Sequence, residues 1–593
     1  MAETTTRNYA ETPAPQTAPQ TEQNDLLGKS VAGYQCWFKG STSADSGWHH
    51  WSGKSAPSRG HLSFEVYPDV SEYDDEVMVP TKFDAMPDGT PSRLFRSRTP
   101  NAIDVQFGWM EKYGIDGAAV QRFYSDAMAR DQYGELRDDA AHLVLIRNAA
   151  ERHNRLFYLM YDVSGAGRAG MEVLGNMQRD VVVNLEEKGI ISSPAYAHAN
   201  GRPVLCIWGL NSRNPERYPG AAVMLPFVQW LQQRGYFVIG GISDNDWVQD
   251  DSDYREVYRA LDMISPWTIG RYGPNEVEAW QAVHMRMDMD FCRQYDKIYQ
   301  PVLFPGFAWS NWNGGPANHI PRQSGEFLWK QARLYAQAGV RNAYFAMFDE
   351  YDEGTAIMKA AEDSFSIPTG EQYFQTLSVD GQWLSSDFYL RLAGGISRML
   401  RGETPCTEQV TIPYSEGPVY WRNGFERRYV PTRRNRATPR MPVLANVDVC
   451  TYHPALVSAY NAEITAAEVA DGMAATGRCS FRFFVKMHGA GELWYKLADT
   501  RIRVTEPLRV RYAFNPQSVP GTQIQVALLL DDGQRMTVAA DAEVRMDRWN
   551  RLCVSLPAEL VGRTIVGVGL TVSGDAAGDA TAYIDDMVIE ADR

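Results

Sequence analysis

Four carboxylates, Asp349, Glu350, Asp352 and Glu353, fall within five residues, directly after the apolar run 343–348 and directly before Gly354. Like charges at this spacing repel, so at least one of the four should hold its proton to a higher pH than an isolated carboxyl does. Glycosidic cleavage needs that asymmetry. One carboxylic acid gives its proton to the leaving oxygen, and one carboxylate acts as base or nucleophile. In a straight strand, residues three apart face opposite sides. Glu350 and Glu353 therefore share a cleft only if the chain turns at Tyr351 and Asp352, and Gly354 favours such a break. A solvated acidic loop or a helix N-terminus would use the same residue types; a position at the end of a barrel strand is what favours chemistry.

The elements that must position this knot are legible as apolar runs at 31–38, 116–123, 156–162, 203–210, 236–242, 263–269, 301–309 and 342–348. They are apolar throughout rather than alternating, as parallel strands covered on both faces are. Between them lie amphipathic stretches at 102–113, 138–153, 171–188, 222–234, 253–261, 277–299 and 325–338, with Gly114, Gly235 and Gly339 placed as helix C-caps. Eight such units without a phosphate-binding glycine loop predict an α/β fold of the closed (β/α)8 TIM barrel type, with its chemistry where strands end. The long insertion 39–100 is expected over that face. The expected domains are a disordered tail (1–27), the barrel (28–400), a connecting segment (401–442) and a C-terminal all-β sandwich of jelly-roll, carbohydrate-binding-module-like type (443–593). The connecting segment holds a basic run, Arg427, Arg428, Arg433, Arg434, Arg436 and Arg440, read as packing across two domains, with nucleic-acid binding as the functional alternative.

Other strand ends supply candidate saccharide contacts: Gln121, Arg122, Tyr161, Asp162, Trp208, Trp267, Trp309 and Trp312. A ring there stacks on a sugar face, and an amide, guanidinium or carboxylate bonds hydroxyls. Asp349 and Asp352 join this substrate-binding set beside the catalytic pair Glu350 and Glu353. His49 and His50 lack a third ligand at suitable spacing, so no metal and no cofactor are expected. The Tyr583-Ile584-Asp585-Asp586 end of the sandwich is either purely structural or a calcium holder.

The segment Phe348-Asp349-Glu350-Tyr351-Asp352-Glu353-Gly354-Thr355 resembles the N-E-W-x-E-G-T signature of the endo-α-mannosidases, glycoside hydrolase family 99. More closely, residues 30–400 resemble bacterial proteins grouped as family 71/99-like, of the xylosidase/arabinosidase type. The likeness rests on Gly33-Tyr34-Gln35-Cys36-Trp37-Phe38, Trp48-His49-His50-Trp51-Ser52-Gly53, Tyr67-Pro68-Asp69-Val70-Ser71-Glu72-Tyr73, Tyr113-Gly114-Ile115-Asp116-Gly117, Gln121-Arg122-Phe123 and Ser386-Asp387-Phe388-Tyr389-Leu390. The resemblance implies that Glu350 is a base acting on the sugar 2-hydroxyl and Glu353 the general acid/base of a retaining glycosidase. It also implies cleft positions for Tyr34, Trp48, His50 and Trp51. The chain departs from the signature at Asp349, where the family has Asn, and at Tyr351, where it has Trp.

Composition sets the outer bounds. A formal net charge of −15 and a pI near 5.3 disfavour nucleic-acid and anionic-membrane partners, and no apolar run approaches membrane-spanning length. Aromatic residues at 12%, with 16 Trp, suit an oligo- or polysaccharide substrate. Seven Cys without a CxxC pair describe neither a disulfide framework nor a zinc site. The absence of an apolar leader points to the cytoplasm, with secretion or the periplasm as alternative; oligomeric state is not readable. Two competing readings remain: a non-catalytic carbohydrate-binding protein on a degenerate barrel, and a metal-dependent hydrolase using Asp162, His49 or His50.

Overall fold

The computed structural model describes residues 8–41, 47–128, 140–430, 443–449, 454–518, 522–539 and 544–593. Eight parallel strands close into a barrel: β1 (Ser30–Tyr34), β2 (Gly117–Phe123), β3 (Leu156–Asp162), β4 (Arg202–Leu210), β5 (Phe237–Ile242), β6 (Met263–Pro266), β7 (Ile298–Tyr299 and Val302–Leu303) and β8 (Ala343–Phe345). Closure runs through β7. Its first half pairs with β6 and its second with β8, which pairs with β1. The switch falls at Pro301, which has no N–H to donate but accepts from Tyr344 N at 2.9 Å. Each strand is followed by a helix: α1 (Pro100–Tyr113), α2 (Ala141–Arg152), α3 (Glu172–Asp180), α4 (Ala221–Gln233), α5 (Tyr254–Ala260), α6 (Val277–Gln294), α7 (Glu326–Gln337) and α8 (Phe388–Arg401). Local chemistry fixes their ends. The Thr99 hydroxyl caps α1 by accepting from Ala102 N, Pro100 occupies its first turn, and Gly114 leaves it at φ 77°.

The (β/α)8 barrel followed by a sandwich is thus the observed architecture, with differences at element ends. The seventh run pairs as strand only to Leu303, and α6 stops at Gln294 because Ile298–Tyr299 pairs with β6. The first and eighth strands are shorter than expected. Beyond β8 the backbone leaves the sheet, with Phe348 N donating to Gly33 O (2.7 Å) and Met347 N to Thr355 O (3.2 Å). Residues 8–27, expected as a disordered tail, lie instead against the barrel wall. Arg234 donates to the Thr12 and Pro13 carbonyls at 2.6 and 2.8 Å, Trp230 Nε1 to Ala10 O, and Leu26 is fully buried.

The insertion covers the carboxylate end of the barrel, tied down by Glu65 N donating to Tyr351 O at 2.9 Å. Beyond α8, the nine-stranded antiparallel C-terminal sheet folds into a sandwich, because the long strand Cys479–Arg503 pairs with Gly578–Ala591 along its first part and with Thr564–Gly574 along its second. Between its layers lies a core that includes Phe481, Phe483, Leu497, Leu528, Val568 and Ile584. Polar contacts cross the seam to the barrel: Arg422 from the sandwich side bonds Asp363 at 2.7 Å, and Asp448 accepts from Ser364 N at 2.8 Å. Arg427 donates to Asn446 within a two-stranded ribbon, and Arg428 is buried, donating to the Pro368 carbonyl at 2.6 Å. The remaining arginines of the basic run, Arg433, Arg434, Arg436 and Arg440, lie outside the described residues.

Candidate active site

The carboxylate loop leaves β8 as a tight turn. Thr355 N and Ala356 N both bond the Glu350 carbonyl, at 3.1 and 2.9 Å, and Gly354 adopts φ 65°. Four neighbouring segments hold it. Arg322 donates to the Gly354 and Ala356 carbonyls at 2.8 and 2.9 Å, Ala308 N to Glu353 O, Glu65 N to Tyr351 O, and Tyr351 itself donates its hydroxyl to Lys359 O. Tyr351 is therefore a buried fastener, and the bend expected there is present.

This bend puts the four acids in one electrostatic neighbourhood. Asp349 Oδ1 and Oδ2 accept from the backbone N–H of Gln35 and Cys36, both at 2.8 Å. Burial pushes its carboxyl up to about 7 despite those two donors. Glu350 Oε2 accepts from Gln35 Nε2 at 2.9 Å; burial, then the charges of Asp352, Glu353 and Asp349, hold its proton well above the ordinary range. Glu353 is more open, and burial followed by the Asp352 charge lifts it to about 7, with the Trp309 side chain pulling the other way. Asp352 is likewise raised by burial, opposed by His50, whose Nδ1 lies 2.8 Å from Asp352 Oδ2. His50 in turn stacks flat on Trp37, with centroids 3.6 Å apart at 7°.

Strand alternation sorts the remaining expected contacts. Gln121 faces the barrel interior, its amide 3.5 Å from the Tyr344 hydroxyl, whereas the adjacent Arg122 points outward to α3. There Arg122 forms a buried two-point pair with Asp180 at 2.6 and 2.7 Å, joined by Tyr161, which donates to Asp180 Oδ2. Asp162, one residue on from Tyr161, is buried, accepts from Ser164 N at 2.7 Å, and is lifted by burial to about 6. Its register partner Trp208 meets Trp267 edge to face at 5.2 Å, and Trp267 meets Tyr344 at 6.0 Å. Trp309 and Trp312 form a second edge-to-face pair at 5.7 Å, with Trp312 42% exposed.

Five expected cleft residues are enclosed in the packing. Tyr34 is fully buried and donates to Gln106 on α1; Trp51 is enclosed by Phe38, Phe64, Phe95 and Tyr351; Trp48 is buried within the insertion; and Arg122 with Tyr161 belongs to the strand–helix layer. Each of these side chains is buried against protein neighbours. Gln35, one residue from Tyr34, is the side chain on Glu350, and period-two alternation along β1 is the signal that finds it. Glu65 is a second unforeseen residue. It is fully buried, raised to about 7 by that burial, and accepts from the Ser310 hydroxyl and from Asn311 N at 2.8 Å, which fixes the segment carrying Trp309 and Trp312.

Around the turn, several buried polar atoms have no hydrogen-bond partner among the described residues: Gln35 Oε1, Asp352 Oδ1, Trp37 Nε1 and Trp208 Nε1. Acceptors and donors of this mix match hydroxyl groups, which do both. Two concavities lie away from the turn. One of about 550 Å³ runs along the barrel–sandwich seam beside Phe365 and Arg428, and another of about 500 Å³ lies between Tyr67 and Ser386.

No protein-family model and no curated protein sequence matches the chain. Among solved structures, it is similar to the family 99 endo-α-mannosidase from Bacteroides thetaiotaomicron, at 14% identity over 64% of this chain and 98% of that one, with a TM-score of 0.44. The same enzyme in complex with bis-tris-propane gives 15% identity, the same coverage and a TM-score of 0.43. The sandwich is similar to carbohydrate-binding modules of the β-sandwich superfamily, at 17% identity over 27% of this chain and 71% of that one, with a TM-score of 0.20.

Proposed function

We propose that this protein is a glycosidase, cleaving a glycosidic bond in an oligo- or polysaccharide at the turn that follows β8. The observation that carries the reading is the convergence of four mutually repelling carboxyls, three of them buried, with unpartnered buried donors and acceptors at the C-terminal end of a closed barrel. An orphaned buried polar atom costs about 1–3 kcal/mol, and a bound polyhydroxylated ligand offsets that cost at several atoms together.

In this proposal Glu353, the more open of the pair and titrating at about 7, is the acid that protonates the leaving oxygen. Glu350 is the base, in keeping with its likeness to the first Glu of the family 99 signature. In the free protein Glu350 holds its proton more tightly than an isolated carboxyl, so it loses that proton only when hydrogen bonds from substrate hydroxyls add to the one from Gln35. Trp208, Trp267, Trp309 and Trp312 supply ring faces and edges around the mouth. The retaining outcome rests on the likeness alone. Purified protein incubated with a panel of polysaccharides, with product analysis, identifies the substrate. Glu350→Gln and Glu353→Gln are then each expected to lower the rate at least ~100-fold; hydrolysis at the wild-type rate in both variants refutes the reading. Saccharide binding that survives both substitutions, with no sugar released by the wild type, identifies a carbohydrate-binding protein instead.

A further inference from the structure

Asp352 sits between the two glutamates in sequence, and its charge acts on both, yet it bears neither proposed role. It is 3% exposed, and one of its oxygens, Oδ2, meets a single ring nitrogen, His50 Nδ1, at 2.8 Å. The histidine is held for that contact. Its ring lies flat on Trp37, its carbonyl accepts from the Ser63 hydroxyl at 2.9 Å, and its backbone takes φ 64°, in the left-handed region that His tolerates better than most residues. Its side chain is 35% exposed, so the ring communicates with solvent while its partner does not.

Among the described residues, the charged and titratable groups around Asp352 come from the insertion and from its own loop. From the insertion comes His50; from its own loop come Asp349, Glu350 and Glu353. Of the nearby guanidinium groups, Arg98 donates to the Cys36 carbonyl and Arg322 to the Gly354 and Ala356 carbonyls. His50 is thus the group placed to stabilise a negative charge on Asp352.

We infer that His50 is a positioning residue: by holding Asp352 as an anion it keeps a proton on Glu353. The inference deepens the glycosidase reading and rests on it for its catalytic meaning, but the electrostatic chain from His50 through Asp352 to Glu353 is measurable without any substrate. Without the imidazole, a carboxyl as buried as Asp352 takes up a proton, its charge disappears, and Glu353 releases its own proton at lower pH. The direction is therefore fixed: loss of either member lowers the titration midpoint of Glu353.

The test is a ¹³Cδ-glutamate NMR titration of the full chain, with the Glu353 signal assigned by its loss in Glu353→Gln. The variants are His50→Asn, which tolerates the left-handed backbone, Asp352→Asn, which keeps the side-chain shape, and the two combined. A like charge on a neighbouring buried residue moves a carboxyl by about one pH unit or more, so a downward shift of that order is expected in each single variant. Because His50 acts through Asp352, the double variant should shift no further than Asp352→Asn alone. A merely structural histidine would leave the Glu353 midpoint unmoved or would add its effect to that of Asp352→Asn, and either result overturns the inference. If the midpoints move as expected while no saccharide is cleaved, the coupling stands and the glycosidase reading fails. Once a substrate is known, the alkaline limb of its pH–rate profile should move to lower pH in the same variants.

Discussion

Replacing Asp349 with Asn tests how the carboxylate turn is seated. The Asp349 carboxyl titrates at about 7 in the folded chain against an ordinary value of 3.8, because burial outweighs the two backbone N–H groups that favour its anion. A folded value above the unfolded one means that the native state binds the proton more tightly, so this group's contribution is complete below about pH 4 and is lost as pH rises through about 7. At about 1.4 kcal/mol per pH unit, the interval corresponds to about 4 kcal/mol. The side chain is 1% exposed, so solvent screening does little to reduce that figure. Asn cannot titrate. Its amide keeps one acceptor and sets a donor against the other backbone N–H, a pH-independent cost of about 1–3 kcal/mol. Urea unfolding between pH 4.5 and 7.5 should therefore show the wild type losing about 3 kcal/mol toward neutral pH that Asp349→Asn does not lose, so that the variant's initial deficit closes and its curve meets or crosses that of the wild type. Parallel curves would refute the reasoning.

Other substitutions separate packing from contact. Trp51→Ala should cost about 3–5 kcal/mol in unfolding free energy, because the ring is enclosed; a variant of unchanged stability with weakened saccharide binding would return Trp51 to the cleft. Arg122→Met leaves Asp180 buried without its two-point partner and should cost about 3–5 kcal/mol by thermal or chemical denaturation. With Glu353 titrating at about 7, kcat/KM should fall about tenfold per pH unit above that value; a flat profile to pH 9 would remove Glu353 as the acid.

The barrel was legible because parallel strands covered on both faces are written as unbroken apolar runs, and seven of the eight begin within a residue of their expected start. The carboxylate knot was legible for the same reason, since acids abruptly end such a run. Faces within a strand were harder. Where adjacent residues are both polar or aromatic, as in Gln121-Arg122 and Tyr161-Asp162, an unbroken apolar context gives no phase, and one of each pair faces the helices. The pairing of Tyr34 with Gln106 and of Arg122 with Asp180 is long-range and leaves no local trace. Trp48 and Trp51 carried a family likeness but no periodicity, so their burial within the insertion followed only from the folded chain. The break in β7 had its cue in Pro301, while the docking of residues 8–27 had none, because Pro- and Thr-rich sequence reads as unstructured until a wall is present for it to bond.

The central claim is that the turn after β8 presents Glu350 and Glu353 to one bound saccharide. A crystal of Glu353→Gln soaked with an oligosaccharide that the wild type cleaves tests it directly. The glycosidic oxygen is expected within ~3.2 Å of the residue 353 side chain, with sugar hydroxyls on Gln35 Oε1 and Asp352 Oδ1. A saccharide found only along the barrel–sandwich seam, away from these atoms, would contradict the account.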